Sequence, residues 1–185
     1  AKSPARLAQT ALRWKLEGGR FKLKWKPHKG FEPVWNSKPG LGESGLSIWR
    51  VKAGSGAAAF SAGGSVVKQT VVFGHLACGS MTKPVEIRAL EVTDTDETGW
   101  LKSGSTDKID EFLSIFFPHP DKFEKVWMRM PTARGMQPIY MWRPVPPSKD
   151  FVALGTVATV EDEEPPNDAV RCAHRSFCKD LPTGE

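Results

Sequence analysis

The feature that most constrains this chain is an internal repeat. Phe31-Glu32-Pro33-Val34-Trp35 matches Phe123-Glu124-Lys125-Val126-Trp127, and Ile48-Trp49-Arg50 matches Met141-Trp142-Arg143. Phe73-Gly74-His75-Leu76-Ala77 matches Leu154-Gly155-Thr156-Val157-Ala158, and Ile87-Arg88-Ala89 is a looser match to Val170-Arg171-Cys172. The landmarks keep one order, which reads as a tandem duplication. The spacings agree: Trp35 to Trp49 is 14 residues and Trp127 to Trp142 is 15, while Gly74 to Pro84 and Gly155 to Pro165 are both 10. One interval differs, with 24 residues from Arg50 to Gly74 against 12 from Arg143 to Gly155. Residues 54–65, almost entirely Gly, Ala and Ser, have the length of that surplus. Such a stretch has too little apolar area to offset its ordering entropy, so a flexible loop inserted into copy one is expected.

Each copy reads as β-rich. Residues 47–51, 66–73, 139–143, 151–154 and 156–160 are short runs of β-branched and aromatic residues bounded by turn formers. Gly155 is expected at a bend or bulge. Pro144, Pro146 and Pro147 cannot donate to a ladder, which makes their segment a rigid connection or an edge. The expected fold is mainly β: copy one over 31–92 and copy two over 123–178, as two sandwich-like units or a single prism-like body. Residues 93–122 join the copies through an acidic loop at 93–99 and one short helix at 107–116. Ile109, Phe112, Leu113 and Phe116 fall at i, i+3, i+4 and i+7, Ser105, Thr106 or Asp107 offers a cap, and Pro118 and Pro120 stop the helix. That aromatic stripe reads as core. The tail, 179–185, is polar and expected to fray.

The run Met141-Trp142-Arg143-Pro144-Val145-Pro146-Pro147, then Phe151-Val152-Ala153-Leu154-Gly155, then Glu164-Pro165-Pro166 and Val170-Arg171-Cys172 resembles the repeats of the vacuolar protein sorting thirteen family and its sorting sixty-two-like relatives. The resemblance covers about 123–178 well and 31–92 in degenerate form. Ser148-Lys149-Asp150 stands where the family usually has glycine, and copy one lacks the prolines after Arg50. The resemblance implies an all-β repeat module of a kind that, in large family members, accompanies a lipid-transfer channel and binds adaptor proteins.

With 185 residues the chain is one domain, or two small ones sharing a core. It is too short to be a lipid conduit by itself, and no apolar run approaches the length of a membrane span. Cys78, Cys172 and Cys178 are too few and too unevenly spaced for a disulfide scaffold. A reducing compartment is the expectation, with pairing of Cys172 and Cys178 left open. No secretory signal is visible, and a start without Met fits a processed form or a fragment. The expected location is intracellular, cytoplasmic or peripheral to a membrane, or an organelle matrix after loss of a targeting segment.

Charge is unevenly placed. Residues 1–30 hold nine Lys or Arg and one acid, leaving 17 basic against 20 acidic groups in the rest. A short amphipathic helix is expected over 5–14, broken by Gly18-Gly19. Residues 20–26 then alternate strictly, with Phe21, Leu23 and Trp25 opposite Arg20, Lys22, Lys24 and Lys26. This is either an edge strand protected by lysines or an anion-binding arm. In the second case Arg13, Lys15, Arg20, Lys22, Lys24 and Lys26 would contact an anionic membrane, RNA or an acidic partner.

Catalytic signatures are missing from the sequence. There is no nucleophile elbow, phosphate loop, dinucleotide fingerprint or zinc-protease motif. Cys172-x-His174-x3-Cys178 brings soft ligands together without a fourth, and no metal or other cofactor is expected. His119, between Pro118 and Pro120, reads as a surface turn, and residues 161–166 as a solvated acidic loop. In Trp49-Arg50 and Trp142-Arg143 the tryptophan should enter the core while the arginine faces away. Either the arginine bonds an acidic side chain or carbonyl of its own copy, as repeat scaffolding would, or Arg50 and Arg143 join Pro144, Pro146 and Pro147 in a peptide-binding edge. The functional expectation is a non-enzymatic interaction module for a protein partner. The alternative is an assembly subunit anchored by residues 1–30.

Overall fold

Cross-strand register organises the structure. The computed structural model describes residues 21–37, 45–52, 59–61, 64–95, 107–132 and 134–178. The elements are β1 (Phe21–His28), β2 (Phe31–Asn36), β3 (Ser47–Val51), β4 (Ala59–Ser61), β5 (Gly64–Val66), β6 (Lys68–Val71), β7 (Leu76–Cys78), β8 (Ile87–Asp94), α1 (Asp107–Phe116), β9 (Lys122–Arg129), β10 (Ile139–Val145), β11 (Phe151–Val152), β12 (Val157–Thr159) and β13 (Ala173–His174). The chain is mainly β with one α-helix among the described residues, and the helix occupies the span its apolar periodicity predicts. The expected helix over 5–14, the acidic residues 96–99 and the tail 179–185 lie outside the described residues.

The sheets run β2-β3-β7 in copy one and β9-β10-β12 in copy two. Phe31, Glu32 and Pro33 face Val51, Arg50 and Trp49, then Val34 bulges out and Trp35 faces Ile48. Phe123, Glu124 and Lys125 face Pro144, Arg143 and Trp142, then Val126 bulges out and Trp127 faces Met141. The third strands also agree, with Ile48 opposite Ala77 and Met141 opposite Ala158. Outside these sheets, β6 pairs β8 with Val71 opposite Leu90, while β11 pairs β13 with Val152 opposite Ala173. β1 adds an outer strand to β8.

Three apolar clusters join these pieces. Helix α1 packs Ile109, Phe112, Leu113 and Phe116 with Phe117 against Val71, Leu90 and Val92. Phe31 and Val51 of copy one share a second cluster with Phe123, Tyr140, Trp142 and Val157 of copy two. Trp35 and Ile48 share a third with Ile139 and Ala158. All three clusters draw on both copies, the first through Ala173 of copy two, so the copies form one body rather than two independent sandwiches.

The copies also touch backbone to backbone. A Cβ placed on Gly155 would lie 2.8 Å from the Phe73 carbonyl oxygen and 3.1 Å from the Gly74 Cα. One on Gly74 would lie 3.0 Å from the Gly155 Cα. Gly155 is therefore fixed by close approach to its own counterpart, not by the bend or bulge that its place between two strands suggests. The adjoining His75 N–H donates to Thr156 O at 2.9 Å.

Other expectations need correcting. Within 54–65, read as a loop, the backbone of β4 and β5 pairs as a short hairpin; backbone hydrogen bonds do not require apolar side chains. The strand expected over 66–73 is divided between β5 and β6. The acidic loop expected from 93 starts later, because Thr93 and Asp94 continue β8 opposite Lys22 and Phe21. Pro144 lies inside β10, opposite Phe123. It is tolerated because β12 ends its pairing at Trp142, so no partner there needs the missing N–H. His119 is half-buried and its Nδ1–H donates to Val170 O at 3.0 Å, so it is not a free surface turn. The acidic residues after β12 are exposed as expected, and two of their carboxylates also make contacts: Glu164 accepts the Phe123 N–H at 2.6 Å, and Asp162 pairs with Lys125 at 2.5 Å.

The glycine contact gives a direct test. Gly155→Ala should destabilise the fold by about 1–3 kcal/mol through forced separation of two backbones, lowering Tm by several degrees. Gly79→Ala, where an added Cβ meets nothing within 4 Å, should leave Tm unchanged. Thermal denaturation followed by circular dichroism reads both.

Candidate interaction surfaces

The two Trp-Arg pairs are set by the strands that carry them. Trp142 is buried and its indole N–H donates to Thr159 Oγ1 at 2.8 Å; Trp49 is half-buried and donates to Ser47 Oγ at 2.8 Å. Each following arginine is exposed and paired across the hairpin. Arg143 Nη2 lies 2.7 Å from Glu124 Oε2, and Arg50 bonds Glu32, which Lys52 also holds at 2.9 Å. Lys52 and then Arg50 keep the Glu32 carboxyl below the usual range, and Arg143 does the same for Glu124. Arg50 and Arg143 are thus engaged within their own copies. Pro144 is fully buried, while Pro146 and Pro147 are half-exposed. The structure does not bring these five residues together as one exposed edge.

The basic surface occupies β1. Lys22, Lys24 and Lys26 are exposed, as is Trp25, while Phe21 and Leu23 pack on the α1 cluster. Lys26 approaches Glu91 of β8 at 3.9 Å. Arg13, Lys15 and Arg20 lie outside the described residues. Position at the sheet edge with outward lysines is the arrangement that blocks strand-to-strand aggregation.

A third surface was not anticipated. Strand β9 forms the edge of its sheet, and Val126, Trp127 and Met128 on it are exposed, with Met130 just past its end. Trp127 is 52% exposed, whereas Trp35, its counterpart by register, is 4% exposed. The difference lies in the neighbours. Trp35 is covered by Ile139 and Ala158 and donates its indole N–H to Gln137 O at 2.8 Å. The sequence signal was the unbroken apolar run Val126-Trp127-Met128, which departs from the alternation of a half-buried strand.

The titratable groups serve the scaffold. His75 Nδ1 accepts the Ala158 N–H at 3.1 Å, and burial, then Arg50, lowers its pKa to about 4. Burial and then Asp121 push the Cys172 thiol up to about 11, a poorly reactive state. Cys78, Cys172 and Cys178 are free thiols, and His174 Nδ1 accepts the Ser176 N–H at 3.2 Å. Among the described residues no group of three or more His, Cys, Asp and Glu side chains is placed to hold a metal ion.

His75 sets a pH dependence. The unfolded imidazole takes up a proton below about 6.5, while the folded one resists until about 4. Stability is therefore complete above pH 6.5 and falls as pH drops from there toward 4, by at most about 3 kcal/mol. His75→Asn, whose Oδ1 can accept the same N–H, should flatten that part of the curve. Urea titrations between pH 4 and 7 check it.

The structure of GNIP1Aa from Chromobacterium piscinae matches 99% of this chain with a TM-score of 0.52 at 15% sequence identity, and the chain spans 32% of that protein. At that identity the match concerns the fold alone. No curated protein matches the sequence. The sequence pattern of vacuolar protein sorting-associated protein 62 matches residues 47–183, most of both copies and the helix between them. The chain belongs to the vacuolar protein sorting-associated protein 62 family.

Proposed function

We propose that this chain is a non-enzymatic β module that binds a protein partner through the free edge of β9. The observation that carries the reading is the exposed set Val126, Trp127, Met128 and Met130 on an edge strand. Edge strands that face only water are normally short, charged or covered. Here a tryptophan and two methionines occupy the outer positions, residue types enriched in the centres of protein interfaces. Arg129 is exposed beside them and supplies a polar rim. The reading places docking on β9 rather than on Arg143 and Pro144, since Arg143 is paired with Glu124 and Pro144 is buried.

Family membership supports an intracellular interaction role, at the periphery of a membrane or in the cytoplasm. Among the described residues no helix is long and apolar enough to cross a membrane. A second reading rests on β1. Its exposed Lys22, Lys24 and Lys26 around Trp25 fit an acidic protein surface, anionic lipid or RNA, as an assembly subunit held by its basic arm would require.

The two readings separate by salt. Partner captured on the tagged chain from native extract should survive high salt and be lost in Trp127→Glu, while the triple variant Lys22→Glu, Lys24→Glu, Lys26→Glu retains it. Capture that disappears with salt and with the lysine variant, but persists in Trp127→Glu, moves binding to β1 and overturns the β9 reading.

A further inference from the structure

We propose that the partner on the β9 edge is a second copy of this chain, docked head to tail, with the β7 side of one protomer covering Trp127 of the next. The inference rests on β9 being a docking edge and names its occupant.

The chain already contains the joint once. Inside it, the β2 side of copy one lies beside the β12 side of copy two. Trp35 is the anchor of that joint: Ile139 and Ala158 pack on it, and its indole N–H reaches Gln137 O at 2.8 Å. Register maps the participants from one copy onto the other. Trp35 opposite Ile48 corresponds to Trp127 opposite Met141. Ala158 opposite Met141 corresponds to Ala77 opposite Ile48. Ile139, one residue before Tyr140, corresponds to Leu46, one residue before Ser47, because Tyr140 faces Thr159 as Ser47 faces Cys78.

The burial of these residues follows the joint. Ile139 and Ala158, which cover Trp35, are both 2% exposed. Their counterparts have no such role: Leu46 is 44% exposed and Ala77 is exposed too. Among the described residues one chain therefore satisfies a single joint and leaves its two halves unused, an exposed tryptophan on β9 and an exposed covering face on β7. An interface whose two halves differ repeats from subunit to subunit, giving a ring if the rotation closes and an open filament if it does not.

The chemistry of the two faces agrees. β7 reads Leu76-Ala77-Cys78 and carries no charge, so nothing ionised has to be desolvated against the indole. Ala77 is as small as Ala158, leaving the same depth for the ring. Met81, also exposed, adds apolar area just past β7. Pairing of β9 with β9 about a two-fold axis would bury Trp127 but leave Leu46 and Ala77 bare, and it is a distinct outcome below.

Sedimentation equilibrium over a range of concentrations tests the proposal with three proteins: the chain itself, Trp127→Glu and Leu46→Glu. Both substitutions fall on exposed side chains, and circular dichroism verifies that each variant folds. The unaltered chain should grow in mass beyond a dimer as concentration rises. Each variant alone should remain monomeric. An equal mixture should form a one-to-one heterodimer and stop there, because the Trp127→Glu protomer still offers Leu46 and the Leu46→Glu protomer still offers Trp127.

Three results overturn the proposal: an unaltered chain that stays monomeric at every concentration, Leu46→Glu associating as well as the unaltered chain, or a mixture that remains monomeric. If the chain is monomeric yet captures a different protein from extract in a Trp127-dependent way, self-docking fails and the β9 reading stands. If Trp127→Glu changes neither self-association nor capture, both fail.

Discussion

The contact between Gly74 and Gly155 is the constraint on which the rest of the structure depends. These residues hold equivalent places in the two copies and meet backbone to backbone, at a distance that leaves no room for a side chain on Gly155 and would crowd one on Gly74. The approach lets His75 N–H reach Thr156 O, and it lets His75 Nδ1 take the Ala158 N–H. Arg171 N–H reaches Val72 O nearby, tying the end of copy two to the segment just before Gly74. A cluster of large side chains, including Phe31, Phe123 and Trp142, is then shared rather than split into two cores. Shared burial of this kind favours the folded body at roughly 25 cal/mol per Å2 of apolar surface removed from water.

Equivalent residues can meet in this way at one place without their surroundings becoming equivalent. Pro33 in β2 is replaced by Lys125 in β9, whose ammonium lies 5.5 Å from the Tyr140 ring and 5.7 Å from that of Trp142 and also pairs with Asp162. The strand start differs too, since Glu164 accepts the Phe123 N–H. The largest difference lies at the tryptophans that follow the bulge. Copy two covers Trp35, and nothing among the described residues buries Trp127 in return. A tandem pair joined head to tail has one internal joint and two ends, and the unequal burial of Trp35 and Trp127 follows from that arithmetic.

The sequence made the matched segments legible and left their register and coverage hidden. That each arginine faces away from its tryptophan follows from the two-residue side-chain period, whereas its pairing with Glu32 or Glu124 depends on a register, with bulges at Val34 and Val126, that no residue pattern announced. The helix at 107–116 was equally readable, since its apolar stripe has the helical period and prolines end it. Burial of Trp127 could not be read this way. A repeated sequence transmits what a strand presents, whereas coverage depends on which element lies beside it. The close approach of Gly74 and Gly155 has no periodic signature at all, and a lone glycine between two strands suggests a bend as readily. The β4–β5 hairpin escaped for a third reason: its pairing rests on backbone groups that composition does not report.

The two exposed edges show how this chain treats unpaired strand backbone. Strand β1 has lysines at alternate positions, and an incoming strand would meet a row of ammonium groups that must lose water to pair. Strand β9 carries charges as well, but most are already committed. Lys122 and Arg143 surround Glu124, and Lys125 is held over aromatic rings and against Asp162. What faces outward past Lys125 is Val126, Trp127 and Met128. A strand pair exposing its apolar edge to water carries an aggregation hazard that lysines elsewhere in the same chain avoid. The apolar side chains on β9, in a chain whose β1 edge is protected by charge, are the physical argument for the proposal that β9 is a contact surface.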